Sequence, residues 1–377
     1  MLLEILNYRI TGIRQIIFEN DLLINLQDLI SHRSSLLICD ENTQYFIPLT
    51  LRMERNLKRI VLPRDVQPTE LEIRRLVKHT QDRELIIALG AGTITDICKC
   101  LAKITNREFI IFPTAPSVNA YTSPTASIMP IGSNKKYSIK AKMPIGIYID
   151  RGILKKAPTR MIVSGLCDLV CSSTIKVDCL IASIALKQEY ATIIFEELKH
   201  YEKILLKYSK LLVKGDIMLI ELLMQALILS GLGMWLHGDS RTASQSEHVV
   251  AHILERKYSR HFLHGEMVAV GIILVSMIQE KLFRKEGKIT FMTKAFELYK
   301  KQKSSSSLTP ETFTKVLEDL SSITPLLRFL TSGHDQLRKH IIDLNETLPK
   351  MCGSFEEMLL FKENFTCLDL AYLKGCA

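Results

Sequence analysis

The feature that most constrains this chain is a change of texture near Pro158. Before it, short apolar runs rich in β-branched residues recur at strand length: Ser35 to Cys39, Arg59 to Leu62, Leu85 to Leu89, Phe109 to Phe112 and Ile145 to Ile149. Helical spacing separates the earlier runs, as in Leu71 to Lys78, and that alternation implies a buried parallel sheet covered by helices. Between Ser123 and Lys142, β-formers flank the turn-like Gly132-Ser133-Asn134, which predicts a hairpin. Beyond Pro158 helical periodicity takes over, as in Met161 to Ala185, Tyr190 to Lys210 and Ile217 to Leu236. The serine-rich Lys303 to Leu308, before Pro310, reads as a solvated loop. The expectation is therefore a Rossmann-like α/β nucleotide-binding domain over residues 1–155 and an all-α domain over residues 156–377, each with its own core. A ligand cleft is expected between them.

Bulk properties exclude several alternatives. A 377-residue chain with 47% hydrophobic residues can bury its core, so disorder is not expected. Its most apolar stretches are read as strand-length, which predicts no membrane span. The N-terminal MLLEILN carries Glu4 and lacks a basic leader, which predicts no signal peptide and a cytoplasmic location. Nine cysteines with no CxxC pair are expected to be buried free thiols. The net charge of +9 is dispersed among acids, so nucleic acid is not the expected partner. A positive field would instead draw a phosphorylated small molecule to a cleft.

Three groups of residues carry chemistry. Gly90-Ala91-Gly92-Thr93-Ile94-Thr95-Asp96 follows a strand and opens a helix, where glycines admit a pyrophosphate to the helix N-terminal amides. The spacing is not GxGxxG, and a plain tight turn, with Thr93 or Thr95 as a cap, remains open. Pro113 to Pro124 (PTAPSVNAYTSP) is a polar loop after a strand, at the end of the sheet where open α/β folds line their ligand crevice; a proline-stiffened loop is the plainer alternative. Asp168, His248, His252 and His264 are candidate metal ligands. A carboxylate with two imidazoles leaves open positions, as a catalytic divalent ion requires. His248 and His252 share one helix face at i, i+4 and could alternatively chelate an ion themselves.

In this order, GAGTITD, PTAPSVNAYTSPTAS, SGLCDLV, SRTASQSEH-x3-H and HGE resemble the glycerol-1-phosphate dehydrogenases, within the dehydroquinate synthase-like/iron-containing alcohol dehydrogenase superfamily. The resemblance runs from about Leu36 to Val275 and implies a metal-dependent, NAD(P)-linked dehydrogenase acting on dihydroxyacetone phosphate or a related phosphorylated or polyol ketone. It implies that Gly90, Gly92, Thr93 and Asp96 hold the dinucleotide pyrophosphate, that Thr114, Ser117 and Ser123 line the cofactor, and that Asp40 faces the adenosine end. An acid at that point favours NAD(H) over NADP(H). It further implies Asp168, His248 and His264 as ligands of one divalent ion, with zinc, nickel and iron all compatible. His252 is implied as a proton relay and Arg241 as a partner of a substrate phosphate. A homo-oligomer is left open.

Two residues depart from the pattern. Asn119 stands where relatives usually carry an aspartate near substrate, and an amide cannot take up a proton there. Gln245 replaces a usual glycine beside the metal-ligand helix. Two competing readings follow, a dehydroquinate synthase-like cyclase or lyase and a catalytically degenerate cofactor-binding protein. The glycine-lysine loop expected of the cyclases is missing, and Asp168 stands where they carry Glu.

Overall fold

A computed structural model describes residues 11–285, apart from residues 31, 134, 173, 177, 180–191 and 259–261. Six parallel strands form its sheet: β1 (Gln15–Glu19), β2 (Ser35–Asp40), β3 (Leu57–Leu62), β4 (Leu85–Gly90), β5 (Glu108–Pro113) and β8 (Gly146–Asp150), in the spatial order β1-β8-β5-β4-β2-β3. All five strand runs in the sequence fall on strands of this sheet. Edge strand β1 carries no core signal in the sequence, because QIIFE is partly exposed and has no fully buried residue. Between β5 and β8, β6 (Thr125–Ile128) and β7 (Tyr137–Lys140) form the expected antiparallel hairpin, with Gly132 at φ 76° in its turn.

The strand order sets the crevice. From β2 the chain moves outward to β3 and then crosses back to β4, which pairs with the other side of β2. The carboxyl ends of β2 and β4 therefore lie side by side at a switch point, where open α/β sheets take their ligands. Asp40 ends β2 and Gly90 ends β4. Thr43 ties these ends together: its hydroxyl lies 2.9 Å from Asp40 Oδ1 and donates to the Leu89 carbonyl at 3.2 Å.

Alternate residues of each strand serve opposite faces, as a period of two requires. Leu37, Cys39, Ile87, Leu89, Ile110 and Phe112 pack on one face. Leu36, Ile38, Ile86, Ala88, Phe109 and Ile111 pack on the other, in an apolar cluster that continues into the helices after residue 158. Full burial of each such aliphatic side chain contributes roughly 1.5–3 kcal/mol.

The helices that matter for the site are α1 (Glu70–Val77), α2 (Gly92–Ile104), α3 (Thr159–Val170), α4 (Thr192–Lys207), α5 (Ile217–His237), α6 (Ser246–Tyr258) and α7 (His264–Lys285). The expected boundary at residue 155 falls between the short helix Arg151–Leu154 and α3. Among the described residues after it there are only helices and turns. Helix α5 corrects the reading that apolar stretches stop at strand length. Its 21 residues are long and apolar enough to cross a membrane by length and composition, and 67% of its most apolar window is buried in the structure. A helix apolar on most sides lies in a core or a membrane; in this structure most of α5 is buried, while Met218 and Leu236 near its ends are exposed. Here α3, α4 and the turn Ala120–Thr122 pack around it. Asp216 caps its start by accepting from the Leu219 amide at 3.1 Å, and Gly238 ends it in the left-handed region at φ 85°.

The six described cysteines are buried thiols outside any disulfide, as expected; Cys352, Cys367 and Cys376 lie outside the described residues, as does the serine-rich segment 303–308.

Candidate metal and nucleotide site

At the end of β4 the chain turns through Gly90-Ala91-Gly92 into α2. Neither glycine needs a positive φ; each is required by space. A Cβ on Gly90 would lie 2.6 Å from Ile94 Cγ1, and one on Gly92 2.8 Å from Val118 Cγ2. Residue 91 is the N-cap and supplies no side-chain bond, so neither Thr93 nor Thr95 caps the helix. The first amides of a helix have no intrahelical acceptor and suit an anion. Asp96 is buried and turns away to the hairpin, accepting from the Ser127 amide at 3.1 Å, while its Oδ1 finds no partner.

The polar loop after β5 is clamped from several sides. The Thr114 amide donates to the Gly90 carbonyl at 3.2 Å, joining the loop to the glycine turn. Tyr121, fully buried, donates its hydroxyl to the Ala115 carbonyl at 2.5 Å, and Thr122 donates to the Ile228 carbonyl of α5 at 2.6 Å. Ser164 of α3 donates to the Ser117 carbonyl at 3.3 Å. Ser123 is buried, and its hydroxyl is engaged with Thr125. From beneath, the buried ammonium of Lys99 donates to the carbonyls of Ala120 at 2.9 Å and Thr125 at 2.5 Å. Burial lowers the pKa of Lys99 to about 8, against the opposing pull of Asp96. Glycines let the helices close on this loop: a Cβ on Gly165 would meet the Pro116 carbonyl oxygen at 1.7 Å, and one on Gly231 would meet Thr122 Oγ1 at 2.3 Å.

Across the loop, Asp168 of α3, His248 of α6 and His264 of α7 converge. One ligand atom from each lies within 4.8 Å of the others. Asp168 is 1% exposed, and its Oδ2 accepts from the Asn119 backbone amide at 2.8 Å. Its Oδ1 is buried without a hydrogen-bond donor, yet His248 Nε2 stands 3.4 Å away and His264 Nε2 3.6 Å. Those separations suit donors shared around one cation, since tetrahedral zinc with bonds of about 2.0–2.1 Å has donor–donor edges of about 3.3 Å. The orphaned oxygen and the donor set thus fit a divalent ion.

Electrostatics agree with that fit. Burial raises the Asp168 carboxyl, but the neighbouring His248 and His264 and the Asn119 amide hold it below its ordinary value. Burial lowers the His248 imidazole, yet Asp168 and Glu247 on either side push it up to about 10. A position that attracts a proton so strongly attracts a cation equally, and the two compete. Glu247, absent from the residues the sequence singled out, takes the His248 Nδ1 side at 2.8 Å. A carboxylate behind a ligand imidazole fixes its tautomer and directs Nε2 to the ion. The signal for it was adjacency alone, Glu247 preceding His248 in QSEH.

His252 stands beside the cluster rather than in it. Its ring centroid is 6.2 Å from that of His248 and 5.9 Å from that of His264, and its side chain is 50% exposed. Chelation by the His248–His252 pair alone is not the arrangement adopted, because His248 turns its Nε2 to Asp168. Asn119 lies at the cluster, with its side-chain amide 3.4 Å from Ser230 Oγ. Arg241 forms a two-pronged ion pair with Asp239, both contacts at 2.8 Å. The Gln245 side chain donates to the Arg241 carbonyl at 3.0 Å, so the larger residue at 245 braces this turn.

Residues 17–158 match the family model of the iron-containing alcohol dehydrogenases. The chain is 38% identical over 222 residues to a glycerol-1-phosphate dehydrogenase (NAD(P)+) of Sulfurisphaera tokodaii, an alignment covering 56% of this chain and 61% of that protein. It is 35% identical over 236 residues to the protein of that name from Sulfolobus acidocaldarius, covering 60% and 65%. Over that region the chain is similar to the glycerol-1-phosphate dehydrogenases. The aligned region spans less than two thirds of the length of either relative. Its fold is that of the iron-containing alcohol dehydrogenases. Glycerol dehydrogenase from Schizosaccharomyces pombe superposes with a TM-score of 0.60 at 18% identity, covering 90% of each chain. The iron-containing alcohol dehydrogenase of Thermotoga maritima gives 0.56 at 12% identity, covering 88% of this chain and 97% of its own.

Proposed function

We propose that this chain is a metal-dependent, NAD(P)-linked dehydrogenase that adds a hydride and a proton across the ketone of dihydroxyacetone phosphate, or of a related small phosphorylated or polyol ketone. The observation that carries it is the orphaned Asp168 Oδ1 facing two imidazole Nε2 atoms beside a sheet crevice suited to a dinucleotide. Asp168, His248 and His264 would hold the divalent ion. Such an ion, when bound, polarises a carbonyl and stabilises the negative charge that develops on its oxygen.

The chain's own residues do the rest. The Gly90–Gly92 turn brings backbone close to a pyrophosphate and presents the α2 amides to it. Asp40 stands where a ribose hydroxyl would be read; Thr114 and Ser117 belong to the loop between crevice and cluster. His252, half-exposed beside the cluster, is the group suited to pass a proton between the reacting oxygen and solvent. Asn119 positions Asp168 through its backbone, a contact that does not depend on its side chain. Replacement of an aspartate there therefore leaves the ligand clamp intact. Arg241 could meet a substrate phosphate by exchanging its contact with Asp239. The similarity to dehydrogenases disfavours the cyclase reading.

The test is oxidation of NADH and of NADPH by metal-stripped protein reconstituted separately with zinc, nickel or ferrous iron. Dihydroxyacetone phosphate and dihydroxyacetone are the substrates. Metal-dependent turnover that favours the phosphorylated ketone is expected. Nucleotide binding without turnover on either ketone would replace this reading with a cofactor-binding protein or a different substrate.

A further inference from the structure

Behind the cluster lies a carboxylate with two imidazoles on it. Glu255, one turn along α6 from His252 and 9% exposed, places Oε1 2.6 Å from His264 Nδ1 and Oε2 3.0 Å from His252 Nδ1. Each oxygen serves one ring. An ionised carboxylate only accepts hydrogen bonds, so both Nδ1 atoms must carry the proton. A neutral imidazole protonated at Nδ1 keeps its lone pair on Nε2. In His264 that Nε2 is the atom beside Asp168 Oδ1. In His252 it lies across the ring from Glu255, in a side chain that reaches solvent.

We infer that Glu255 is a positioning residue that sets the tautomers of His264 and His252 together, coupling the metal ligand to the proton-passing imidazole; this rests on the metal-dependent reading above. Glu247 performs the corresponding service for His248 alone. The shared backing matters, because one side chain orients both the ligand imidazole of His264 and the acceptor that His252 would offer to a reacting hydroxyl. It also defines what glutamine cannot do at this position. The amide of Glu255→Gln would accept from one Nδ1–H and donate from its other arm, so the second ring must present an Nδ1 lone pair and carry its proton on Nε2. Either the ligand or the relay would then have the wrong tautomer.

The experiment compares wild-type, Glu255→Gln and the surface control Glu72→Gln, first by zinc competition against a chromophoric chelator. Imidazole nitrogen resonances of the zinc-loaded, histidine-labelled proteins and metal-free thermal unfolding complete the set. Glu255→Gln is expected to lose about ten- to a hundredfold in zinc affinity. One of the two Nδ1–H tautomers should be replaced by Nε2–H, and Glu72→Gln should match wild-type. Wild-type zinc affinity with both tautomers unchanged in Glu255→Gln would overturn the inference while leaving the dehydrogenase reading in place. A wild-type protein that binds no zinc, nickel or ferrous iron would overturn both. The thermal unfolding of metal-free Glu255→Gln separates a lost ligand geometry from a lost fold, since the inference requires the former without the latter.

Discussion

The crevice at the end of β4 and the Asp168–His248–His264 cluster both border the loop after β5, yet they are built in different ways. The crevice is made of contiguous pieces: a strand, a glycine turn and a helix start, spanning Leu85 to Asp96. The cluster is made of single residues from three helices, with 80 positions between Asp168 and His248 and another 16 to His264. The crevice therefore depends on local backbone shape, whereas the cluster depends on how closely helices approach. Where helices must approach, the chain has small residues: Gly165 against the Pro116 carbonyl, Gly265 against the Ser164 carbonyl at 1.8 Å for a built Cβ, and Gly271 against the Glu247 carbonyl at 2.2 Å.

That contrast can be broken at its centre. Asp168→Asn keeps the shape and removes the charge, leaving Nε2 of His248 and His264 without the anion they share. Zinc affinity should fall by about a thousandfold, which corresponds to about 4 kcal/mol, with turnover lost and nucleotide binding kept. Competition against a chelator and NADH fluorescence titration read the two halves separately. Unchanged turnover would refute the metal reading.

A smaller effect tests the approach of the helices. Gly165→Ala places a Cβ against backbone, which cannot swing aside as a side-chain tip can, so α3 must move away from the loop. The expected destabilisation is about 1–3 kcal/mol in denaturant unfolding, with weakened zinc binding in the same protein. Stability and zinc affinity both equal to wild-type would show that the cluster does not depend on this approach.

The smallest expected effect is a pH slope. The pKa of Lys99 is lowered to about 8 in the fold from an ordinary 10.5, so between those values the unfolded chain binds more proton than the folded one. Stability from this group then rises with pH across that window, and the cost of burying its charge is fully present below about pH 8. Relative to Lys99→Met, wild-type stability in urea should gain as pH rises from about 8 to 10. Parallel pH profiles would show that the Lys99 pKa is not shifted in the fold.

How far each region was legible follows the same division. The parallel strands were readable because burial on both faces leaves nearly continuous apolar runs, as in LIIALG and EFIIFP. The apolar pattern of α5 predicts a helix, but the burial of most of its side chains comes from partners distant in sequence. Asp168, His248 and His264 were identified by resemblance to a family. Their residue types alone left His252 as an equal candidate, and the choice lies in ring orientation, which no spacing encodes. Glu255 and Lys99 gave no usable signal, because an acid or a lysine on a helix is ordinarily a solvated residue.

By itself, the sequence determined the local matters: where strands and helices run, that a glycine turn opens α2, and that carboxylate and imidazole groups are available. Their periodicities and residue types are properties of contiguous chain. Only the tertiary structure decided which carboxylate faces which ring. It decided that Asp168 Oδ1 would be left without a donor, and that Glu255 would serve two imidazoles at once. The physical reason is that hydrogen-bond direction and burial are set by the packing of α3, α6 and α7 against one another, and packing is a property of pairs of elements rather than of either alone.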